Sequence, residues 1–173
     1  MNDGEPRPPA PPSAGVRRLG PEDWKLLRDI RLAALAEAPH AFSSTLAREQ
    51  NLSEAQWRSR LAETAYFAAW QHGEPAGLAA GLDDAADPAR PHLVSMWVSP
   101  QARGRGVADA VMAAVAGWAR DRGAAALVLW VTDANPRARA FYRRMGFRST
   151  GLRQLVRPEE PDHWEEQLAR ELS

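Results

Sequence analysis

A short glycine-rich and basic stretch, residues 101–108, is the first candidate for chemistry in this sequence. It reads Gln-Ala-Arg-Gly-Arg-Gly-Val-Ala and follows an apolar run of strand length, residues 93–98, which ends at Ser99 and Pro100. From Val107 onward, apolar side chains recur at helical spacing. Glycines let a backbone approach a ligand closely, and the free amides of a first helical turn attract anions. The pattern therefore predicts a phosphate-binding turn between a buried strand and a helix.

Three interpretations of this turn compete. A plain strand–helix turn with solvated arginines would not require two glycines and two arginines just ahead of a helix. A dinucleotide fingerprint requires Gly or Ala at its last position, where this sequence has Asp109. The third interpretation is the pyrophosphate loop of an enzyme that uses acyl-CoA. Residues 101–106 resemble the first signature of the GCN5-related N-acetyltransferases (GNAT), Gln/Arg-x-x-Gly-x-Gly/Ala.

A second stretch, residues 135–147, has the pattern of a capped helix. Asn135 is a good N-cap, Pro136 suits the first helical position and Gly146 ends the helix. The stretch reads Asn-Pro-Arg-Ala-Arg-Ala-Phe-Tyr-Arg-Arg-Met-Gly-Phe. It resembles the second GNAT signature, Asn-x-x-Ala-x-x-Phe/Leu-Tyr-x-x-x-Gly-Phe.

The order of predicted elements agrees with this resemblance. A short strand at residues 16–19 precedes two helices, a β-hairpin with a third strand, a helix, a strand, a second helix and two strands. Residues 164–172 are predicted as the last strand, with a helix as the alternative. The resemblance implies an α/β (α+β) fold with a mixed, mostly antiparallel sheet of about six to seven strands, splayed in the middle and flanked by about four helices.

Composition limits the class of protein. The 173 residues fit a single domain, predicted at 15–173, after a proline-rich tail at 1–14 that is predicted to be disordered. The absence of cysteine excludes disulfides, thiolate metal sites and cysteine nucleophiles. No apolar run is long enough to cross a membrane, so we expect a cytoplasmic protein. Arginines dominate residues 101–157, which suits a polyanionic ligand; the zero net charge of the chain argues against nucleic acid.

The resemblance also implies which residues bind acetyl-CoA. Backbone amides of residues 103–108 would hold the pyrophosphate, and the pantetheine arm would pair with the backbone of residues 96–98. A backbone N–H near Val98 would stabilise the oxyanion. Asn135 is either a contact to the CoA arm or a plain N-cap. The residues predicted to bind the cofactor are Met96, Trp97, Val98, Gln101, Arg103, Gly104, Arg105, Gly106, Val107, Ala108, Asn135 and Tyr142.

Two residues are predicted to act on protons. Tyr142 matches the family tyrosine that protonates the leaving thiolate; the alternative is a core aromatic beside Phe141. His92 lies where family members often carry a base, since histidine titrates near neutral pH. The alternative, given equal weight, is a histidine at a strand end, next to Pro91, without a catalytic role. Ser95 or Asp133, acting through water, are further alternatives for the base.

We therefore expect an N-acetyltransferase that transfers the acetyl group of acetyl-CoA to a primary amine by direct attack in a ternary complex. The acceptor is expected to be a small molecule, and no metal is expected to take part. The alternatives are a non-catalytic acyl-CoA-binding regulatory domain, or an acetyltransferase that acts on protein N-termini or lysines. The protein is expected to be a monomer or a homodimer, without nucleic-acid or membrane partners.

Overall fold

The computed structural model describes residues 14–173, and a parallel pair of strands lies at the centre of its sheet. These strands are β4, His92–Val98, and β5, Ala126–Thr132. His92 is in register with Val128, whose backbone N–H donates to the Pro91 carbonyl at 3.0 Å. The strand ladder between β4 and β5 does not extend past this pair among the described residues. The sheet is therefore splayed in the middle, as expected.

The sheet contains seven strands in the order β1-β2-β3-β4-β5-β7-β6, and every neighbouring pair except β4 and β5 is antiparallel. The remaining strands are β1, Ala14–Arg18; β2, Ala65–Gln71; β3, Glu74–Leu82; β6, Arg148–Leu155; and β7, Trp164–Glu171. This confirms the mixed, mostly antiparallel sheet expected from the sequence.

Five α-helices among residues 14–173 flank this sheet. They are α1, Trp24–Glu37; α2, Leu46–Glu49; α3, Glu54–Glu63; α4, Val107–Asp121; and α5, Pro136–Arg144. The buried side chains of α4 recur at helical spacing, Val107, Val111 and Val115 among them, and join the core cluster of one face. On the other face, Leu27 of α1 and Trp57 of α3 are fully buried.

Strand β4 carries a bulge in the middle. Ser95 has a φ of 56°, and the register between β3 and β4 shifts between Leu78 and Ala80. An extra residue at a bulge bends the strand and increases its twist. The bulge therefore lies just before residues 96–98, where β4 has already separated from β5.

Most expectations about individual elements agree with the structure. Residues 164–171 form a strand, so the helical alternative there is wrong. The first strand begins at Ala14 rather than at residue 16. The single turn of α2 leaves no periodic pattern in the sequence. Apart from residue 14, the tail predicted to be disordered lies outside the described residues. Over residues 14–173, every helix is too short or too polar to span a bilayer.

Candidate active site

A cavity of about 520 Å³ opens where β4 and β5 separate. Its walls come from five segments that are distant in the sequence. Residues 96–98 and 130–132 supply the two strand ends, and the α4 entry supplies residues between 102 and 109. Helix α5 and the end of α1 with the turn after it complete the walls. The splayed sheet therefore brings the two sequence signatures to one site.

The loop before α4 presents free backbone amides to this cavity. Gly104 and Gly106 have φ values of 74° and 81°, in the left-handed region that favours glycine. Within residues 14–173, no hydrogen bond involves the amides of residues 104–108. A Cβ at either glycine would meet nothing within 4 Å, so open space lies beside this backbone. Unpaired amides at a helix start form an anion site.

Arginines add positive charge around the same loop. Arg137 and Arg144, both exposed on α5, line the cavity. The guanidinium of Arg144 contacts the carboxylate of Asp109 at 2.9 Å, which ties α5 to the first turn of α4. This contact raises the pKa of Arg144 and lowers the pKa of Asp109. The ion pair therefore links α5 to the start of α4, and Arg137 adds a guanidinium group on the α5 side of the loop.

Arg103 lies in the other direction, towards α1. Its Nε donates to the Val98 carbonyl at 3.2 Å and its Nη2 contacts a Glu37 carboxylate oxygen at 2.7 Å. Trp97 Nε1 donates to that same oxygen at 3.0 Å. Desolvation of Glu37 works against ionisation, but the hydrogen bonds from Trp97 and Arg103 hold its pKa below the usual value. Glu37 is therefore an anion that joins the end of α1 to β4 and the glycine loop.

Tyr142 lies on α5 with its ring in the core and part of its surface on the cavity. The residue is only 7% exposed, and its ring packs edge-on against Phe141 at 5.4 Å and Phe147 at 5.8 Å. Burial raises the pKa of its phenol well above the usual value. No hydrogen bond among the described residues uses the hydroxyl. The phenol therefore stays protonated at neutral pH and is available to donate.

Asn135 caps α5 and also lines the cavity. Its side-chain oxygen accepts from the Ala138 amide at 3.0 Å, as an N-cap does. The N-cap interpretation is therefore confirmed. The predicted contact to the CoA arm stays a prediction, since the same residue borders the cavity.

The structure brings together most of the residues predicted from the sequence, but not all of them. Those that line the cavity are Met96, Trp97, Val98, Arg103, Gly104, Gly106, Ala108, Asn135 and Tyr142. Gln101 and Arg105 are exposed and do not line it, and the Val107 side chain is buried in the core. The contact predicted for Val107 is through its amide, which the burial of its side chain does not affect. For Gln101 and Arg105, a role in binding stays a prediction.

His92 does not lie among the cavity-lining residues. It stands at the start of β4, where the strand is still in register with β5, and its Nε2 lies 3.3 Å from an Asp84 carboxylate oxygen. Three residues of strand separate it from Met96, and the four residue steps correspond to about 13 Å of extended chain. The structure therefore does not bring His92 and Tyr142 together, and its role as the base stays a prediction.

Several cavity residues were not predicted from the sequence. They come from the end of α1, the turn after it and the end of β5: Glu37, Ala38, Ala41, Phe42, Trp130 and Thr132. None belongs to a signature, and they meet the glycine loop only through the tertiary fold. The one local signal is that Trp130 and Thr132 end the strand that faces β4.

A family model for the acetyltransferase (GNAT) family matches residues 27–147, which is more than half of the chain. The chain belongs to the acetyltransferase (GNAT) family. Streptothricin acetyltransferase of Streptomyces lavendulae is 39% identical over 87 residues, which cover 50% of this chain and 46% of that protein. This GNAT chain therefore spans less than half the length of that curated relative.

Two solved structures place this GNAT protein among others of similar fold. The crystal structure of nourseothricin acetyltransferase has a TM-score of 0.59 and 29% identity, and the match covers 64% of this chain and 66% of that chain. A GNAT-family acetyltransferase from Streptococcus pneumoniae has a TM-score of 0.76 at 18% identity, over 92% of this chain and 99% of that one. The second likeness concerns the fold alone.

Proposed function

We propose that this GNAT protein is an acetyl-CoA-dependent N-acetyltransferase whose acceptor is a primary amine on a small cationic molecule. The observation that carries this proposal is the single cavity, which joins the free amides before α4, the Tyr142 ring and the aromatic residues near α1. A cofactor site, a proton donor and space for an acceptor therefore adjoin one another.

The residues present fit acetyl-CoA. The free amides of residues 104–108 and the guanidinium groups of Arg137 and Arg144 suit a pyrophosphate. Beyond His92, the edges of β4 and β5 that face each other have no strand partner among the described residues. Their free backbone groups suit the amide groups of a pantetheine arm. Acetyl-CoA supplies an acyl thioester that is activated towards amines.

The protein's contribution is position and proton transfer. Holding the acyl group beside the amine removes much of the entropy cost of their encounter. Backbone N–H groups of the unpaired β4 edge near Val98 would stabilise negative charge that develops on the carbonyl oxygen. Tyr142 would donate its proton to the leaving sulfur. Because the chain has no cysteine to carry the acyl group, direct attack by the amine is favoured.

The acceptor end of the cavity supports a cationic small molecule. Phe42, Trp97 and Trp130 line it, and aromatic faces attract organic cations. The carboxylate of Glu37, which is ion-paired with Arg103, lies at the same wall. Two relatives are named streptothricin acetyltransferase and nourseothricin acetyltransferase, so streptothricin is the first acceptor to test.

An acetyl-CoA turnover screen tests this proposal. Free CoA thiol is measured with a thiol reagent over a panel that contains a streptothricin, a polyamine, an amino acid, a peptide N-terminus and a lysine peptide. We expect release above the acceptor-free rate with a small cationic amine, and loss of that release in Tyr142→Phe. Release with the peptides alone would favour a protein acetyltransferase. A melting-temperature increase with acetyl-CoA but no turnover would favour a regulatory domain.

A further inference from the structure

A hydroxyl, an imidazole and a carboxylate form a chain at the end of β5. Thr132, the last residue of β5, has its Oγ1 2.9 Å from the Nε2 of His163. The Nδ1 of His163 lies 2.7 Å from a carboxylate oxygen of Glu160. Thr132 lines the cavity and is 5% exposed. One end of this chain therefore borders the cavity, and the other lies on the loop between β6 and β7.

The partners of each atom assign the direction of these hydrogen bonds. The ionised Glu160 can only accept, so His163 Nδ1 carries the proton and donates it. In the neutral imidazole, Nε2 is then an acceptor, and it accepts from the Thr132 hydroxyl. The Ala134 amide donates to Thr132 Oγ1 at 3.2 Å, which uses one of the two lone pairs of that oxygen. Among the described residues, nothing donates to the second lone pair, so it can accept a hydrogen bond from an N–H group of a molecule bound in the cavity.

We propose that Thr132, His163 and Glu160 form a proton relay that deprotonates the acceptor amine. This inference rests on the proposed function, because it requires an ammonium group in the cavity. Before attack, one N–H proton of the ammonium moves to Thr132 Oγ1 while the hydroxyl proton moves to His163 Nε2. The threonine stays neutral, the imidazole becomes an imidazolium, and the electron pair left on nitrogen forms the new C–N bond. The second N–H proton leaves the nitrogen as the C–S bond breaks and replaces the proton that Tyr142 gives to the sulfur. His163 is 14% exposed and returns the proton to water.

The surroundings of His163 suit this role. Arg157 contacts Glu160 at 2.5 Å, and hydrogen bonds from His163 and Arg157 lower the pKa of Glu160, which keeps that carboxylate charged. His40 packs edge-on against the His163 ring at 6.1 Å. Glu165 of β7 lies opposite Thr132; desolvation raises the pKa of Glu165, although a hydrogen bond from Gln154 partly offsets this. The ionised carboxylate of Glu160 therefore lies directly against the imidazole and would counter the positive charge that the imidazole gains in the relay.

The Arg157 side chain links this relay to the acceptor wall, the part of the cavity wall around Ala41 and Phe42. Its guanidinium donates to the carbonyl of Phe42 at 2.8 Å and to that of Pro39 at 3.2 Å. These residues flank Ala41, and both Ala41 and Phe42 line the cavity. The same cation therefore orients Glu160 and holds the segment that would contact the acceptor.

Paired substitutions at Thr132 test whether the hydroxyl transfers a proton. Thr132→Val keeps the shape and removes the hydroxyl, whereas Thr132→Ser keeps the hydroxyl. We expect Thr132→Val to lower kcat by about 100-fold with little change in the KM for acetyl-CoA, and Thr132→Ser to stay within a few-fold of the wild type. Equal losses in the two variants would overturn the relay, because they would show that packing matters and the hydroxyl does not.

His163→Gln tests the next step, since an amide can hydrogen-bond to Thr132 but cannot accept the proton. The double variant Thr132→Val/His163→Gln should be no slower than the slower single variant, because groups that act as a unit are not additive. His72→Asn is the control: His72 lies in the exposed turn between β2 and β3 with a φ of 53°, which Asn tolerates. Multiplied losses in the double variant would overturn the relay.

Nitrogen-15 NMR of the imidazoles provides a readout that does not depend on turnover. In the resting protein, neutral His163 should be the Nδ1–H tautomer, and Thr132→Val should shift its Nε2 resonance. An Nε2–H tautomer would overturn the relay. If the wild type acetylates an amine and Thr132→Val does so equally fast, only the relay is wrong. If the wild type acetylates none of the amines, the proposed function fails and the relay fails with it.

Discussion

A buried ion pair behind the acceptor wall gives a sharp test of how this fold is stabilised. The guanidinium of Arg31 in α1 makes two hydrogen bonds of 3.0 Å with the carboxylate of Glu49 in α2, whose side chain is 1% exposed. Arg31 also packs over the Phe42 ring at 4.7 Å and donates to Ser95 Oγ at the β4 bulge. The pair therefore supports the acceptor wall and the bulge together.

Substitution Glu49→Gln would leave the charge of Arg31 buried without a counterion. Removal of one partner from a buried pair costs about 3–5 kcal/mol, because the remaining charge is desolvated and unpaired. Arg60 contacts the same carboxylate at 3.0 Å, but its side chain is 31% exposed and can turn to water. At about 2–4 °C per kcal/mol for a chain of this size, the melting temperature should fall by roughly 6–20 °C.

Thermal and urea unfolding at neutral pH measure this loss. The control is Glu54→Gln, which removes an exposed partner of Arg58 four residues away on α3 and should change the melting temperature by no more than about 2 °C. Equal shifts for the two variants would refute the argument from burial.

The same pair predicts a pH dependence. Desolvation of Glu49 favours its neutral form, but the hydrogen bonds and charge of Arg31, with smaller contributions from Ser44 and Arg60, hold its pKa below the usual value. The folded state therefore gains stability above the unfolded pKa and loses it as the pH falls through the folded pKa. The difference between wild type and Glu49→Gln should shrink on acidification.

Three further predictions concern the active site. Acetyl-CoA should raise the melting temperature of the wild type, and Gly106→Glu should abolish this shift, because a carboxylate would stand at the free amides; a full shift in the variant would exclude the loop as the CoA site. Tyr142→Phe should lower kcat by roughly 100-fold with unchanged acetyl-CoA affinity, measured by turnover and titration; an equal loss in both would indicate a cofactor contact. His92→Ala and His163→Gln should be compared across amines of different basicity. In the wild type, the fall of kcat/KM at low pH should occur at the same pH for every acceptor if it reports an enzyme group. If only one of the two variants loses this fall, the histidine replaced in that variant is the one that takes the proton.

Local patterns predicted the order of elements and the glycine-rich turn before α4. Strand length, helical periodicity, the Asn135 cap and the glycine pair at residues 104 and 106 are all encoded within a few neighbouring residues. Arg31 follows Leu27 and precedes Leu35 at four-residue spacing in α1, and all three are buried there. Its partner Glu49 could not be predicted, because the single turn of α2 has no pattern and the two residues meet only in the folded core.

The parts of the site that depend on contacts between residues far apart in the sequence could not be predicted from the sequence. Thr132 meets His163 because β5 pairs with β7, and the loop before β7 then returns over the end of β5. The family resemblance made His92 a candidate base, with a strand-end histidine as the equal alternative. The sequence does not show that β4 pairs with β5 only at His92, which leaves this residue outside the cavity.

The gap between β4 and β5 divides the sheet into halves of four and three strands that share one register pair. Helix α4 packs against both central strands and is one further link between the halves. A ligand whose amides bond to both free edges would act as an inserted strand and connect them. Binding should therefore slow hydrogen exchange at residues 96–98 and raise the cooperativity of unfolding. Cofactor occupancy would then determine how rigidly the acceptor wall of one half faces the relay of the other.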